Sequence, residues 1–262
     1  MVALNVQRYA QKRLADAGIE SALFEARQIA AFLGNTDEET IDAVLSRRIG
    51  GEPLQYILGE WEFYDLPFYV GEGVLIPRPD TETLAEFAID KAGTEEITCM
   101  DLCSGSGCLA ITVDKHCPNA TVFAMELSDE AFSYLEKNIE RNASSVRAVK
   151  GDVLEDDFGE FDLIISNPPY IKTKDLDILQ KEVQREPRMA LDGGEDGLSF
   201  YRKIAEIWVP HLKRGGTLAV EIGIGQGDDV KKLLEKAGLE NIGSLNDLSG
   251  IERVVFGTLG QI

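Results

Sequence analysis

Ile97-Thr98-Cys99-Met100-Asp101-Leu102, running straight into Cys103-Ser104-Gly105-Ser106-Gly107-Cys108, is an apolar strand that empties into a glycine loop. A short, nearly continuous apolar run is the mark of a strand covered on both faces. The same pattern recurs downstream. Thr121-Val122-Phe123-Ala124-Met125-Glu126 predicts a second strand, Val146 to Asp152 a third, Phe161 to Ser166 a fourth and Gly216 to Glu221 a fifth. Helical stretches alternate with them: Thr81 to Ala92, a helix capped by Ser128, a long helix from about Leu198 to Leu212, and one ending near Gly238. Ile242 to Leu245 and Arg253 to Phe256 supply two further strands. Such alternation predicts an α/β fold with a doubly wound, mostly parallel, seven-stranded Rossmann-like sheet. Ligands of such sheets sit beyond the carboxyl ends of the strands.

Those strand ends carry the chemistry. A dinucleotide fingerprint needs glycine at the first, third and sixth loop positions, and Cys103 and Cys108 occupy the outer two. Gly105 and Gly107 still let the backbone approach a ligand, with Ser104 and Ser106 between them. A carboxylate at Asp101 repels a pyrophosphate and attracts a cation. Glu126 can accept from both hydroxyls of a ribose. Asp152 can accept from an adenine amino group, with Val153 against the ring. Adenine, ribose and a positive centre without phosphate describe S-adenosylmethionine.

The fourth strand stops at Asn167-Pro168-Pro169-Tyr170. Two prolines cannot donate to a ladder, so they make a rigid corner with unpaired carbonyls. Asn167 Oδ1 and a proline carbonyl can accept both hydrogens of a flat NH2 group, and the Tyr170 ring can lie against its plane. Asn167 also stands where it can border the cofactor. The corner alone does not decide between adenine and an amide as the guest.

Before the sheet, residues 1–58 read as helices, with apolar spacing through Leu14, Ile29 and Leu45 and stops at Gly18, Gly34 and Gly50-Gly51. They predict a small helical bundle domain for substrate recognition. Residues 59–80 change period and predict a β-hairpin linker, with turns at Asp65-Leu66-Pro67 and Gly71-Glu72-Gly73; residues 81–262 form the catalytic domain. The net charge of −20 and the lack of a basic stripe argue against direct binding of nucleic acid. No apolar stretch approaches a membrane span, and the N-terminal residues Met1 to Arg8 lack a leader's apolar core, so a cytoplasmic protein is expected. Four cysteines without C-x-x-C spacing and two scattered histidines predict free thiols and no metal site.

The corner resembles that of methyltransferases acting on planar amino groups. Glu52 to Gly59, Ile76-Pro77-Arg78-Pro79-Asp80-Thr81-Glu82, Glu186 to Leu191 and Asp247 to Val255 resemble specifically the HemK/PrmC family, the release-factor glutamine N5-methyltransferases. The resemblance implies a substrate, the glutamine of the Gly-Gly-Gln loop in peptide chain release factors. It places the cofactor loop at Cys103 to Gly107, the ribose carboxylate at Glu126 and the substrate corner at Asn167 to Tyr170. The family usually has glycine at the position of Cys103. Arg78 and Glu82 have two readings, as walls of a substrate channel or as a salt bridge where linker meets core. Adenine-N6 methylation of nucleic acid and a non-catalytic adapter are the alternatives. The charge counts against the first, the intact corner and loop against the second.

Overall fold

The computed structural model describes residues 3–34 and 36–261; Met1, Val2, Asn35 and Ile262 lie outside the described residues, so the N-terminal reading is placed only in part. Helices α1 (Ala3–Asp16), α2 (Ala22–Leu33), α3 (Glu38–Ile49) and α4 (Leu54–Leu58) come first. Asp37 caps α3, accepting from Thr40 N at 2.8 Å. Leu14, Ile29, Ile41, Leu45 and Leu54 bury a core of their own. The separate short helix α4 is not apparent from periodicity. Pro53 starts it and the left-handed Gly59 ends it within five residues.

The hairpin that follows is shorter than expected. Strands β1 (Glu60–Phe63) and β2 (Leu66–Tyr69) pair around Tyr64-Asp65, both at positive φ, as a two-residue hairpin turn requires. The turn therefore precedes the predicted Asp65-Leu66-Pro67, and Pro67 lies within β2, tolerable in a ribbon with open edges. Val74 and Ile76 are buried without joining a ladder.

The main sheet has the expected seven strands in the order β5-β4-β3-β6-β7-β9-β8, with the first five parallel. The strands are β3 (Thr98–Leu102), β4 (Thr121–Glu126), β5 (Arg147–Lys150), β6 (Phe161–Ser166), β7 (Leu212–Glu221), β8 (Leu239–Asn246) and β9 (Glu252–Leu259). The helices are α5 (Glu82–Ala92), α6 (Cys108–His116), α7 (Asp129–Arg141), α8 (Ser199–Ile207) and α9 (Gly227–Lys236). Side chains alternate between two cores. Cys99, Leu163, Ile165 and Ala219 meet Leu84, Leu109 and Leu135 on one face. Met100, Ile164, Leu218 and Val220 meet Tyr201, Trp208 and Val230 on the other. Both faces are covered, which is why the strands read as unbroken apolar runs.

Several boundaries differ from expectation, and both tail strands run longer than predicted. The predicted helix to Leu212 ends at Ile207, because Pro210 cannot continue it, and β7 begins at Leu212. The third strand is only Arg147–Lys150. The strand order reverses beside β3, between β4 and β6, and the crevice at a reversal is where ligands of such sheets bind.

Candidate active site

The glycine loop is built around one carboxylate. Glu126, at the end of β4, accepts from Gly105 N at 2.8 Å through Oε2 and from Ser128 N at 2.7 Å through Oε1. The loop closes on itself through Gly107 N to Ser104 O at 2.8 Å, and Ser104 N donates to Met125 O at 3.0 Å. Gly107 has φ +81, and a Cβ there would lie 2.4 Å from Leu135 Cδ1, so only glycine lets α6 start against α7. Cys103 takes φ +60 although it carries a side chain. Burial, then Glu126, hold its thiol well above the usual range.

Cys103, Ser104, Gly105, Ser106, Glu126, Asp152 and Val153 line one cavity, together with Ser128, Asn167, Pro169 and Phe200. Asp152 is steadied by Leu154 N at 2.9 Å. Trp208 Nε1 donates to Val153 O at 2.9 Å and fixes the next wall. Asp101 is not on that wall. It is 0 % exposed beneath the loop, where Oδ2 accepts from Ala110 N at 3.3 Å and Oδ1 has no hydrogen-bond partner among the described residues. Burial pushes its carboxyl up to about 8, against the pull of Ser104 and Ala110. The expected direct attraction of a cation by Asp101 is therefore not what the structure builds. Gly107 also stands behind the cavity rather than on it.

A second cavity lies on the other side of the corner, lined by Pro168, Tyr170, Ile171, Val183 and Leu191. The two share Leu75, Arg78, Asn167 and Ala190. Asn167 Nδ2 donates to Thr81 Oγ1 at 3.1 Å, which fixes the amide at the junction. Tyr170 OH donates to Glu221 Oε1 at 3.3 Å, and Gln226 Nε2 donates to Tyr170 O at 3.1 Å. Burial is the main reason that the phenol stays far above its ordinary pKa. The segment after the corner folds back on it: Ile171 N donates to Leu191 O at 2.9 Å and Gly193 N to Ile171 O at 2.8 Å.

Arg78 and Glu82 do not pair with each other. Arg78 forms an ion pair with buried Glu186, whose other oxygen accepts from Ile76 N at 3.0 Å. Burial raises the Glu186 carboxyl, with Arg78 opposing. Arg78 thus borders both cavities and also ties the linker to the segment beyond the corner. Glu82 accepts from Tyr64 N at 3.1 Å and lines neither cavity. Thr81 and Glu221 are site residues that the sequence reading passed over. Glu221 ends a strand in an acidic residue, as β4 does, and that signal could have found it.

The first cavity suits a positively charged group better than a phosphate. Its wall offers carboxylates, the Gly105 amide is spent on Glu126, and Arg78 is engaged by Glu186. A Cβ at Gly105 would meet nothing within 4 Å, so the loop's surface stands open there.

Residues 81–203 match the family model described as methyltransferase small domain. The release factor glutamine methyltransferase of Geobacter sulfurreducens is 42% identical over 94% of this chain and 93% of its own length. That of Thermodesulfovibrio yellowstonii is 41% identical, covering 82% of this chain and 80% of its own. A methyltransferase from Pyrococcus furiosus superposes with a TM-score of 0.59 at 23% identity, over 76% of this chain and 91% of that one, which is a likeness of fold.

Proposed function

From the premise that this chain belongs to the release factor glutamine methyltransferases, we propose that it moves a methyl group from S-adenosylmethionine to the N5 amide nitrogen of the glutamine in the Gly-Gly-Gln loop of peptide chain release factors. The observation that carries this is Asn167, held at the junction of two cavities with Nδ2 tied to Thr81. Its Oδ1 is left to accept a hydrogen from a guest NH2 group. The carbonyl of Pro168, on the second cavity, takes the other hydrogen. The Tyr170 ring packs on the amide plane.

The cofactor supplies the electrophilic methyl when bound in the first cavity. Glu126 would hold its ribose hydroxyls, Asp152 its adenine amino group and Val153 the ring face, while Cys103 to Ser106 form the floor and Gly107 backs it. Asp101 supports that floor from beneath, its carbonyl accepting from Ser104 Oγ at 2.8 Å. An amide nitrogen is a poor nucleophile, so the gain comes from aiming it. Holding two reacting atoms in line is worth up to about 7–11 kcal/mol in favourable cases. Acceptors placed on the hydrogens also stabilise the positive charge that develops on nitrogen. The corner needs no general base before transfer, because the product nitrogen is strongly acidic and releases its proton to water.

The same reading assigns residues 1–58 to release-factor recognition, 59–80 to the linker and 81–262 to transfer, with the cytoplasm as the place of work and no direct nucleic acid contact. The separate apolar core of α1–α4 supports the first assignment. Arg48 supports it too: it joins buried Glu25 at 2.7 Å to Glu182, beside the corner's flanking segment, at 3.2 Å. Arg78 borders the substrate channel, and Glu82 steadies the hairpin at its edge.

Incubation with labelled S-adenosylmethionine and an unmodified release factor tests the proposal. Label is expected on the Gly-Gly-Gln glutamine, and Asn167→Ala is expected to slow transfer by at least 100-fold while cofactor affinity changes little. Wild-type rates in that variant would remove Asn167 from the chemistry, and label on adenine in added DNA would overturn the substrate.

A further inference from the structure

Behind the corner lies a polar group that the proposed transfer does not yet use. Glu221 ends β7 with 1 % exposure, and its Oε2 has no hydrogen-bond partner among the described residues. Its Oε1 accepts from Tyr170 OH at 3.3 Å. Thr81, 2 % exposed, accepts from Asn167 Nδ2 at 3.1 Å through its hydroxyl, which stands close enough to Glu221 to pull its carboxyl down although no hydrogen bond joins the two. A buried carboxylate with an unmet oxygen is costly unless it does something. This one touches both halves of the corner.

We propose that Glu221 is a positioning residue: through Thr81 it sets which end of the Asn167 amide faces the substrate, and through Tyr170 it holds the ring beside it. The inference rests on the reading of Asn167 as the acceptor for the substrate NH2. The logic is one of donors and acceptors. An ionised Glu221 can only accept, so the Thr81 O–H turns toward it. The Thr81 lone pairs then face Asn167, which must offer Nδ2 to Thr81 and Oδ1 to the cavity. A protonated Glu221 donates its own hydrogen to Thr81. The Thr81 hydrogen is then free to meet Asn167 Oδ1, the amide turns over, and two NH2 groups confront each other in the cavity. One proton on Glu221 thus separates an accepting corner from a repelling one.

The surroundings put that switch in a useful range. Burial raises the Glu221 carboxyl to about 7, opposed by Thr81, Tyr170 and Arg253 and reinforced by Asp80. The groups that face it come from every neighbouring element: Asp80 and Thr81 before α5, Tyr170 at the corner, Tyr201 on α8, Cys108 at the start of α6 and Arg253 on β9. Arg253 is itself held by Asp80 at 2.7 Å and Asp247 at 2.9 Å, which leaves only part of its charge for Glu221.

The test is the pH profile of single-turnover methylation of a release factor by the full chain from pH 5.5 to 9. The wild type is expected to gain rate about tenfold per pH unit below 7 and to level off above it. Glu221→Gln, whose amide can donate to Thr81 at any pH, should lose the rising limb and run at least tenfold slower at pH 8, with the cofactor's Kd within twofold of wild type. Thr81→Val should behave likewise, and Thr81→Ser should restore the limb. The Thr81 pair decides the matter should Glu221→Gln fail to fold. A flat wild-type profile, or a limb that survives in Glu221→Gln or Thr81→Val, overturns the proposal. Asn167→Ala separates the two levels: full activity there sinks the acceptor reading itself, whereas an inactive Asn167→Ala beside unchanged Glu221 and Thr81 variants sinks only the role of Glu221.

Discussion

Cys103 carries a conflict that a single residue can resolve. Its φ of +60 lies in the left-handed region, where a side chain costs about 1–2 kcal/mol. The resemblance places glycine here in related chains, and the dihedral explains why. The thiol offsets part of the strain by packing against the Met100 and Met125 core. Cys103→Gly is therefore expected to move Tm by no more than a few degrees in either direction, since relief of strain and loss of packing are similar in size. Cys103→Val adds a β-branched side chain at the same φ and should lower Tm clearly, by at least about 2 kcal/mol of stability. Thermal unfolding of the two variants checks this, and a valine variant as stable as the glycine one would show that the loop relaxes. At this scale the sequence spoke unevenly. Glu126 and Asn167 were read as site residues because a glycine loop, an acidic strand end and a Pro-Pro corner follow one another at strand ends. Thr81 was not, because a lone threonine after Pro79-Asp80 carries no signal until the fold brings it within 3.1 Å of Asn167.

Between elements, one buried amide does the joining. Asn138 on α7 accepts from Tyr69 N at 2.6 Å and donates to Tyr69 O at 3.1 Å and to Ser106 O at 2.9 Å. It ties the hairpin to the glycine loop, which neither could reach alone. Asn138→Leu keeps the volume and abandons three backbone groups. An unmet buried group such as Ser106 O costs about 1–3 kcal/mol and the partly buried Tyr69 groups add less, so a loss of roughly 2–4 kcal/mol is expected. The loop should loosen with it, and the cofactor's Kd should rise several-fold. Urea melts and calorimetric titration measure the two effects, and an unchanged Kd would mean that the loop keeps its shape without Asn138. The strands were read from their apolar runs because both faces are covered. Residues 171–197 gave no period and were not read as elements. They hold three short 3-10 turns and take their shape from contacts with the corner, where a Cβ on Gly193 would sit 2.7 Å from Tyr170 Cα. Only the resemblance over Glu186 to Leu191 had marked that stretch.

For the molecule as a whole, pH should act through two sets of carboxyls with opposite signs. Asp101 is raised to about 8 and Glu221 to about 7, both chiefly by burial. Unfolding returns them to about 4. Between those limits the unfolded chain holds fewer protons than the folded one, so stability falls as pH rises. Their contribution is complete below about pH 4 and is gone above about 8, at up to about 1.4 kcal/mol per pH unit for each group. Self-repulsion of a chain with net charge −20 adds to the same trend. The other set is lowered. Asp196, drawn down to about 2 chiefly by Arg202, and Asp247, drawn down by the Ile251 amide and Arg253, favour the fold above pH 4 and lose that effect in acid. A stability maximum between about pH 4 and 6 follows, with Tm declining from there to pH 8 by several degrees per unit. Asp101→Asn isolates one carboxyl. It removes a proton that folding must otherwise keep, so its Tm should exceed that of the wild type at pH 8 and converge on it near pH 4. Scanning calorimetry of both proteins in matched buffers reads the two curves. Parallel curves between pH 6 and 8 would show that Asp101 ionises in the folded protein, which would return a negative charge to the underside of the glycine loop.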